Sequence, residues 1–231
     1  QELGYRPNVL ARSLITGKSR IIGLVVAYLD NYFYPVALEG LSNSLKKEGY
    51  HVLVFMASND DQSTEEVIQE LLDYQVDGII TASVSISNDL TARCEAAGVP
   101  VVLFNRTQDK ATHSAVTSDN VEGGKTAAKF LCQAGHKRIA YIGGWAGASN
   151  QRDREKGFRM GLKDFGKSLF AHALGNFSTE TAKTVTREMF AVTLKPDAIF
   201  VATDHMAFAV IDVLRSELNL SIPNDVSIVG Y

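Results

Sequence analysis

The sequence predicts an α/β protein made of two successive doubly wound lobes, and three observations predict it. Short apolar runs recur at regular intervals along all 231 residues. Amphipathic segments of helical periodicity lie between them. The runs are continuously apolar and do not alternate with polar residues, which is the mark of parallel strands covered on both faces.

In chain order, the first lobe holds the strand runs "IIGLVVA" (21–27), "HVLVFMA" (51–57), "DGIITA" (77–82) and "VPVVLF" (99–104). After the first run, residues 35–48 set Val36, Leu38, Leu41 and Leu45 near helical spacing, and Gly49 suits the position just past the helix end. Residues 63–74 open on Ser63-x-x-Glu66, read as a capping box, ahead of Val67, Ile68, Leu71 and Leu72. A shorter helix over 88–97 ends at Gly98. The pattern then repeats. "SAVTSD" (114–119) is a polar strand leading into a helix over 120–134. Strand "RIAYIGG" (138–144), a helix over 149–166, a weak strand near 170–174 and a helix over 179–193 follow. Strand "AIFVAT" (198–203), a helix over 204–218 and strand "VSIVGY" (226–231) complete the series. The expected division is a basic arm over 1–17, a first lobe over 18–118 and a second over 119–231, with no low-complexity or solenoid-type repeat.

With 45% hydrophobic and 21% charged residues, the composition is that of a soluble globular protein. No apolar run approaches the roughly 20 residues of a membrane span. Cys94 and Cys132 lie far apart in helix-like contexts, so they read as free buried thiols in a reducing compartment. No secretory signal is visible, although the chain opens on Gln1. Charge is unevenly distributed. Residues 1–20 carry Arg6, Arg12, Lys18 and Arg20 against Glu2, a charge of +3, leaving −6 for the rest of a chain whose net charge is −3. An acidic body has no reason to bind nucleic acid; the arm has.

In open parallel sheets, ligands bind beyond the carboxyl ends of the strands, where helix N-termini and loop amides converge. Two such lobes in tandem would set both groups of strand ends around an interlobe cleft. The candidates are Asn31, Tyr32, Phe33 and Tyr34 after the first strand, and Asn105 and Arg106 after the fourth. In the second lobe they are Asn150, Arg152 and Arg154, then Phe177, then Thr203 and Asp204. Amides, carboxylates and guanidinium forks make paired hydrogen bonds to vicinal hydroxyls, and aromatic rings stack on a sugar or a base. Each has a structural alternative: Asp204 as a helix cap, Phe177 as core, Tyr32 to Tyr34 packed under the first helix. Catalysis finds little support. The five histidines show no HExxH or similar metal spacing, and there is no GxSxG elbow. "IGGWAGAS" fits neither dinucleotide-loop nor phosphate-loop spacing, so no cofactor is expected. Asp204 and His205 are adjacent in a helix and point to different faces, which argues against a dyad.

Read alone, "YRPNVLARSLITG" is a helix of about two turns, marginal in water. Pro7 suits its first turn and Gly17 its exit. Leu10 and Leu14 share one side, while Arg6 and Arg12 can reach phosphates, the composition of an element that folds on DNA. A leucine so presented can wedge into the minor groove; the alternative is a frayed arm packed on the body. The segments "LGYRPNVLARSL…SRIIGLVV", "YFYPVALEGLSNSLKKEGYHVLV", "VDGIITA", "GVPVVLFNR", "VTSDNVEGGKTAAKFLCQAGHKRIAYIGG", "REKGFRMGL", "PDAIFVATDHMAFAV" and "IPNDVSIVGY" run through essentially the whole chain. In order and spacing this series closely resembles the lactose-repressor/galactose-repressor (LacI/GalR) family of bacterial transcription regulators.

That resemblance implies the type I periplasmic-binding-protein architecture, two Rossmann-like lobes closing on an effector. It implies a DNA-binding hinge of Arg6, Pro7, Asn8, Ala11, Arg12 and Leu14, with Leu14 entering the minor groove. It implies effector contacts at Asn31, Phe33, Tyr34, Asn105, Arg106, Asn150, Arg154, Phe177, Thr203 and Asp204. The implied partners are operator DNA, a small carbohydrate-like or nucleoside-like effector and a second copy of the chain, in the cytoplasm and without a membrane. Two departures stand out. No helix-turn-helix precedes "LGYRPN", and the chain stops at Gly230-Tyr231, where the family continues with an acidic residue. By the resemblance, the sequence is expected to be a fragment with its C-terminal lobe incomplete. Two rivals remain open here. A periplasmic solute-binding protein would carry a secretion signal upstream, and an enzyme on the same sheet would carry a nucleophile–base set or a dinucleotide loop.

Overall fold

A computed structural model describes residues 17–231 apart from 28, 30, 59–60, 85 and 109–112. The hinge residues Arg6, Pro7, Asn8, Ala11, Arg12 and Leu14 lie outside the described residues. The chain divides into two compact units, Gln1–Val116 and Thr117–Tyr231.

The first unit carries β1 (Ile21–Val26), α1 (Phe33–Lys47), β2 (His51–Met56), α2 (Asp61–Asp73), β3 (Gly78–Ala82), α3 (Asn88–Ala96), β4 (Val101–Phe104) and β5 (Ser114–Val116). All five strands are parallel, in the order β2-β1-β3-β4-β5. Side-chain alternation along β1 shows why its apolar run is unbroken. Leu24 and Val26 pack on one face with Tyr34 and Ala82, backed by Leu38 and Leu41 of α1. Val25 packs on the other with Ile68 and Leu71 of α2 and Leu90 and Cys94 of α3. A strand buried on both sides has no position for a polar residue. The polar run "SAVTSD" becomes the edge strand β5, exposed along its length and paired to β4 through Val102↔Ser114.

The second unit carries α4 (Asn120–Gln133), β6 (Ile139–Gly143), α5 (Ser149–Asp164), β7 (Ala171–Leu174), α6 (Thr179–Phe190), β8 (Ala198–Val201), α7 (Asp204–Asp212), a π-helical turn over Val213–Glu217, and β9 (Ser227–Val229). Its four parallel strands run β7-β6-β8-β9. The order is that of the first unit, so each sheet reverses its winding beside its central strand, between β1 and β3 and between β6 and β8.

The two units also begin their sheets alike. The Asp77 carboxylate, just before β3, accepts from the backbone N–H of Ser19 at 2.8 Å and of Arg20 at 3.2 Å. The Asp197 carboxylate, just before β8, accepts from the backbone N–H of Lys137 and Arg138 at 3.1–3.2 Å. Each acid thus closes the amino edge of its sheet on donors that no strand satisfies.

Helix ends follow local chemistry with two corrections. Gly49 takes φ +78°, and its N–H bonds Lys46 O while that of Tyr50 bonds Leu45 O, the paired closure expected of a left-handed residue past a C-cap. The capping box at Ser63 does not form. Helix α2 starts at Asp61, and Ser63 Oγ accepts from the backbone N–H of Ser58 at 3.1 Å, fastening the preceding loop. Asp204 is likewise not a cap: Thr203 holds that position, and Asp204 is the first helical residue, exposed. Cys94 and Cys132 are buried free thiols, and burial raises the pKa of both. Among the described residues no helix is long and apolar enough to cross a membrane.

Candidate functional site

In the first unit the candidates gather beyond β1 and β4. Asn31 shapes the turn into α1, its Oδ1 accepting from the N–H of Phe33 at 2.9 Å. Tyr34, in the first turn of α1, is buried, and its hydroxyl accepts from Asn105 Nδ2 at 2.7 Å. Phe33 is 48% exposed and stacks on Phe104, the last residue of β4, with ring centroids 5.9 Å apart. Tyr32 is exposed and Arg106 is buried. Asn105 holds φ +61°, a left-handed conformation that costs most side chains about 1–2 kcal/mol and Asn less. The structure thus brings Phe33, Tyr34 and Asn105 together, Asn105 being braced by Tyr34 and by its own N–H bond to Val116 O.

In the second unit the candidates are mostly buried and already hydrogen-bonded. Arg154 donates from one terminal nitrogen to Ala202 O, beside Thr203, and from the other to Asn120 Oδ1 at 2.6 Å. Its guanidinium lies 3.5 Å from the centroid of the Tyr231 ring. This fork requires α4 and α5 to cross closely. A Cβ on Gly124 would collide with Arg154 O, and one on Gly157 with Val121 O, so glycine at both positions is what seats the arginine. Asn150 is buried, its Oδ1 accepting from the N–H of Gln151 at 2.9 Å, whereas Arg152 is exposed.

Phe177 follows β7, is 9% exposed and has φ +57°. Its ring lies on Gly144, where a Cβ would overlap it, so the glycine-rich "IGGWAGAS" serves here as a seat for an aromatic ring. Phe177 O accepts from His205 Nε2 at 3.0 Å, which makes Nε2 the protonated nitrogen; Nδ1 is buried without a hydrogen-bond partner. Thr203 Oγ1 is also buried without a partner and makes no capping bond.

Gln151 escapes sequence reasoning. It is fully buried on α5, and its Oε1 accepts from Tyr141 Oη at 2.8 Å and from the Gly144 N–H at 2.7 Å. Burial pushes the Tyr141 hydroxyl well above its ordinary pKa, keeping it a neutral donor in this network. A glutamine between Asn150 and Arg152 reads as helix surface, and its partner is ten residues away on β6. Nothing local signals the contact. Among the described residues, no cluster of three or more His, Cys, Asp or Glu side chains is placed to hold a metal ion.

At its strand ends the arrangement offers hydroxyls, amides and aromatic rings, groups that can hydrogen-bond to and stack on a small molecule. Residues 22–231 match the family described as periplasmic binding protein domain. The chain is 30% identical over 231 residues to the ribose operon repressor of Lactococcus lactis, covering 100% of this chain and 68% of that protein. It is 32% identical over 234 residues to the sucrose operon repressor of Streptococcus mutans, covering 99% and 69% respectively. Among solved structures, the transcriptional regulator CelR in complex with cellobiose matches with a TM-score of 0.83 at 28% identity, over 100% of this chain and 70% of that one.

Proposed function

The chain belongs to the periplasmic-binding-protein domain family, among the LacI/GalR transcription regulators, and on that premise we propose that it is the effector-responsive region of a sugar-controlled or nucleoside-controlled transcriptional repressor. The observation that carries this reading is the match, over 99–100% of its length, to two sugar-operon repressors at 30% and 32% identity. These relatives are regulators and not enzymes. A periplasmic-type solute-binding protein on the same fold is the weaker fit.

In this reading the strand-end side chains are the effector-binding groups: Asn31, Phe33, Tyr34, Asn105 and Arg106 of the first unit, and Asn150, Arg154, Phe177, Thr203 and Asp204 of the second. The effector is a small sugar-like or nucleoside-like metabolite, and the likeness to two sugar-operon repressors favours a carbohydrate. The arm with Arg6, Pro7, Asn8, Ala11, Arg12 and Leu14 grips operator DNA, Arg6 and Arg12 on phosphates and Leu14 in the minor groove. Two copies act together in the cytoplasm. Effector and operator affinities are then linked and must change each other reciprocally, by about 1–3 kcal/mol or 5- to 150-fold.

The test is a thermal-shift and calorimetric screen against D-ribose, sucrose, cellobiose and a nucleoside panel, repeated with Arg154→Lys. A specific ligand whose affinity drops in the variant supports the assignment. A ligand bound equally well by both removes Arg154 from the effector-binding groups.

A further inference from the structure

The turn that carries Phe177 is strained, and one buried side chain holds it. Residues 175–178 connect β7 to α6, and the turn closes with the Ser178 N–H donating to Gly175 O at 2.9 Å. Both of its central residues are left-handed, Asn176 at φ +53° and Phe177 at φ +57°. Turns with two such residues are built mostly from glycine, asparagine and aspartate. Asn176 fits that rule. A bulky phenylalanine does not, so its backbone is kept against its own preference.

Two contacts oppose the strain. The Phe177 ring lies on Gly144, whose N–H is itself fixed by Gln151 Oε1 at 2.7 Å. The Phe177 carbonyl accepts from His205 Nε2 at 3.0 Å. His205 is buried in the first turn of α7, and its Nδ1 has no hydrogen-bond partner among the described residues, so the imidazole serves Phe177 alone. The next residue, Met206, sets its Sδ where a Cβ on Gly175 would collide with it. The start of α7 is therefore packed on this turn at two successive residues. A buried neutral hydrogen bond and the strain of one left-handed bulky residue are of similar size, so a single bond decides whether the turn keeps its shape.

We infer that His205 is the positioning residue for Phe177. Its Nε2–H keeps the turn left-handed and the aromatic ring on Gly144, and ties both to the helix that begins with Asp204. His205 contacts no ligand in this account. The placement stands on geometry alone; its consequence for affinity rests on the effector-binding reading above, in which Phe177 stacks on the effector and His205 acts through the ring it places.

NMR of the isotopically labelled full chain tests the placement without a ligand. His205→Leu removes the donor, and His205→Gln supplies a single amide donor in its stead. In the unaltered chain the Phe177 ring should displace the Gly144 Hα signals, a displacement identified by its loss in Phe177→Ala, and the Phe177 backbone shifts should be those of a left-handed residue. Both signatures should vanish in His205→Leu and return in His205→Gln; His205→Ala takes the place of the leucine variant if that one does not fold. Calorimetric titration with D-ribose, sucrose and cellobiose is the second arm. Any of these sugars that binds should bind roughly threefold to tenfold more weakly to His205→Leu and near normally to His205→Gln, and His205→Leu should add no further loss to Phe177→Ala. Unchanged Gly144 and Phe177 signals in a folded variant that lacks the donor overturn the inference and leave the effector-binding reading standing. Signatures lost with sugar affinity unchanged support the placement and remove Phe177 from the effector-binding groups. Absence of binding by all three sugars counts against the sugar reading alone, and the NMR arm still decides the inference.

Discussion

The two units solve one problem with different means. The first presents one strand-end group openly: Phe33 is half exposed on Phe104, while Tyr34 and Arg106 are buried and Asn105 is held by one bond from its side chain and one from its backbone. The second presents its groups through a buried, interlocked network in which Arg154, Asn120, Gln151 and Tyr141 bond one another or backbone groups. The difference teaches where side-chain changes trade against stability. In the first unit the half-exposed Phe33 ring can be removed with little effect on the fold. In the second, each of these polar groups is part of the scaffold.

Four changes break or sharpen that contrast. Arg154→Ala should have the largest effect. It strips Ala202 O and Asn120 Oδ1 of a charged donor and empties the space over Tyr231, for about 2–4 kcal/mol of lost stability. Hydrogen exchange should show the loss concentrated in Thr117–Tyr231; equal loss in both units would break the comparison. Gln151→Leu should cost about 1–3 kcal/mol, because Tyr141 Oη and the Gly144 N–H lose their shared acceptor in a buried setting. Denaturant titration measures it, and amide exchange at Gly144 should accelerate.

Phe33→Ala, in contrast, should cost under about 1 kcal/mol, since the ring is half exposed and loses one stacked neighbour. Ligand affinity should fall far more than Tm does. The smallest effect belongs to Glu217→Gln. Glu217 takes a forked bond from Arg187 at 2.7–2.8 Å, which holds its carboxyl below the usual range. A carboxyl depressed in the folded state contributes stability above its unfolded pKa, about 4.3, and loses that contribution as pH falls through the folded value. The Tm difference between Glu217→Gln and the unaltered chain should therefore be present at neutral pH and vanish in acid.

The fold was legible because its signals are local or periodic. Leu24, Val25 and Val26 declare a strand buried on both faces, and Leu38, Leu41 and Gly49 declare a helix and its exit. Ser63-x-x-Glu66 misled because a serine that could cap a helix can equally fasten a loop, and the choice depended on where the chain after β2 turned. The candidate residues were legible as strand-end chemistry, since Asn105, Arg106 and Thr203 follow apolar runs directly. Their partners were not. Gln151 with Tyr141, and Tyr34 with Asn105, meet only after the sheets assemble.

The central claim is that occupancy of the strand-end groups governs the grip of the basic arm on DNA. The direct measurement is fluorescence anisotropy of the intact regulator on a duplex it has selected from a randomised library, with and without the sugar found by calorimetry. The account predicts a change in operator affinity of about 5- to 150-fold on adding sugar, and the same factor in sugar affinity on adding operator. Operator affinity identical with the sugar absent and at saturation would contradict it.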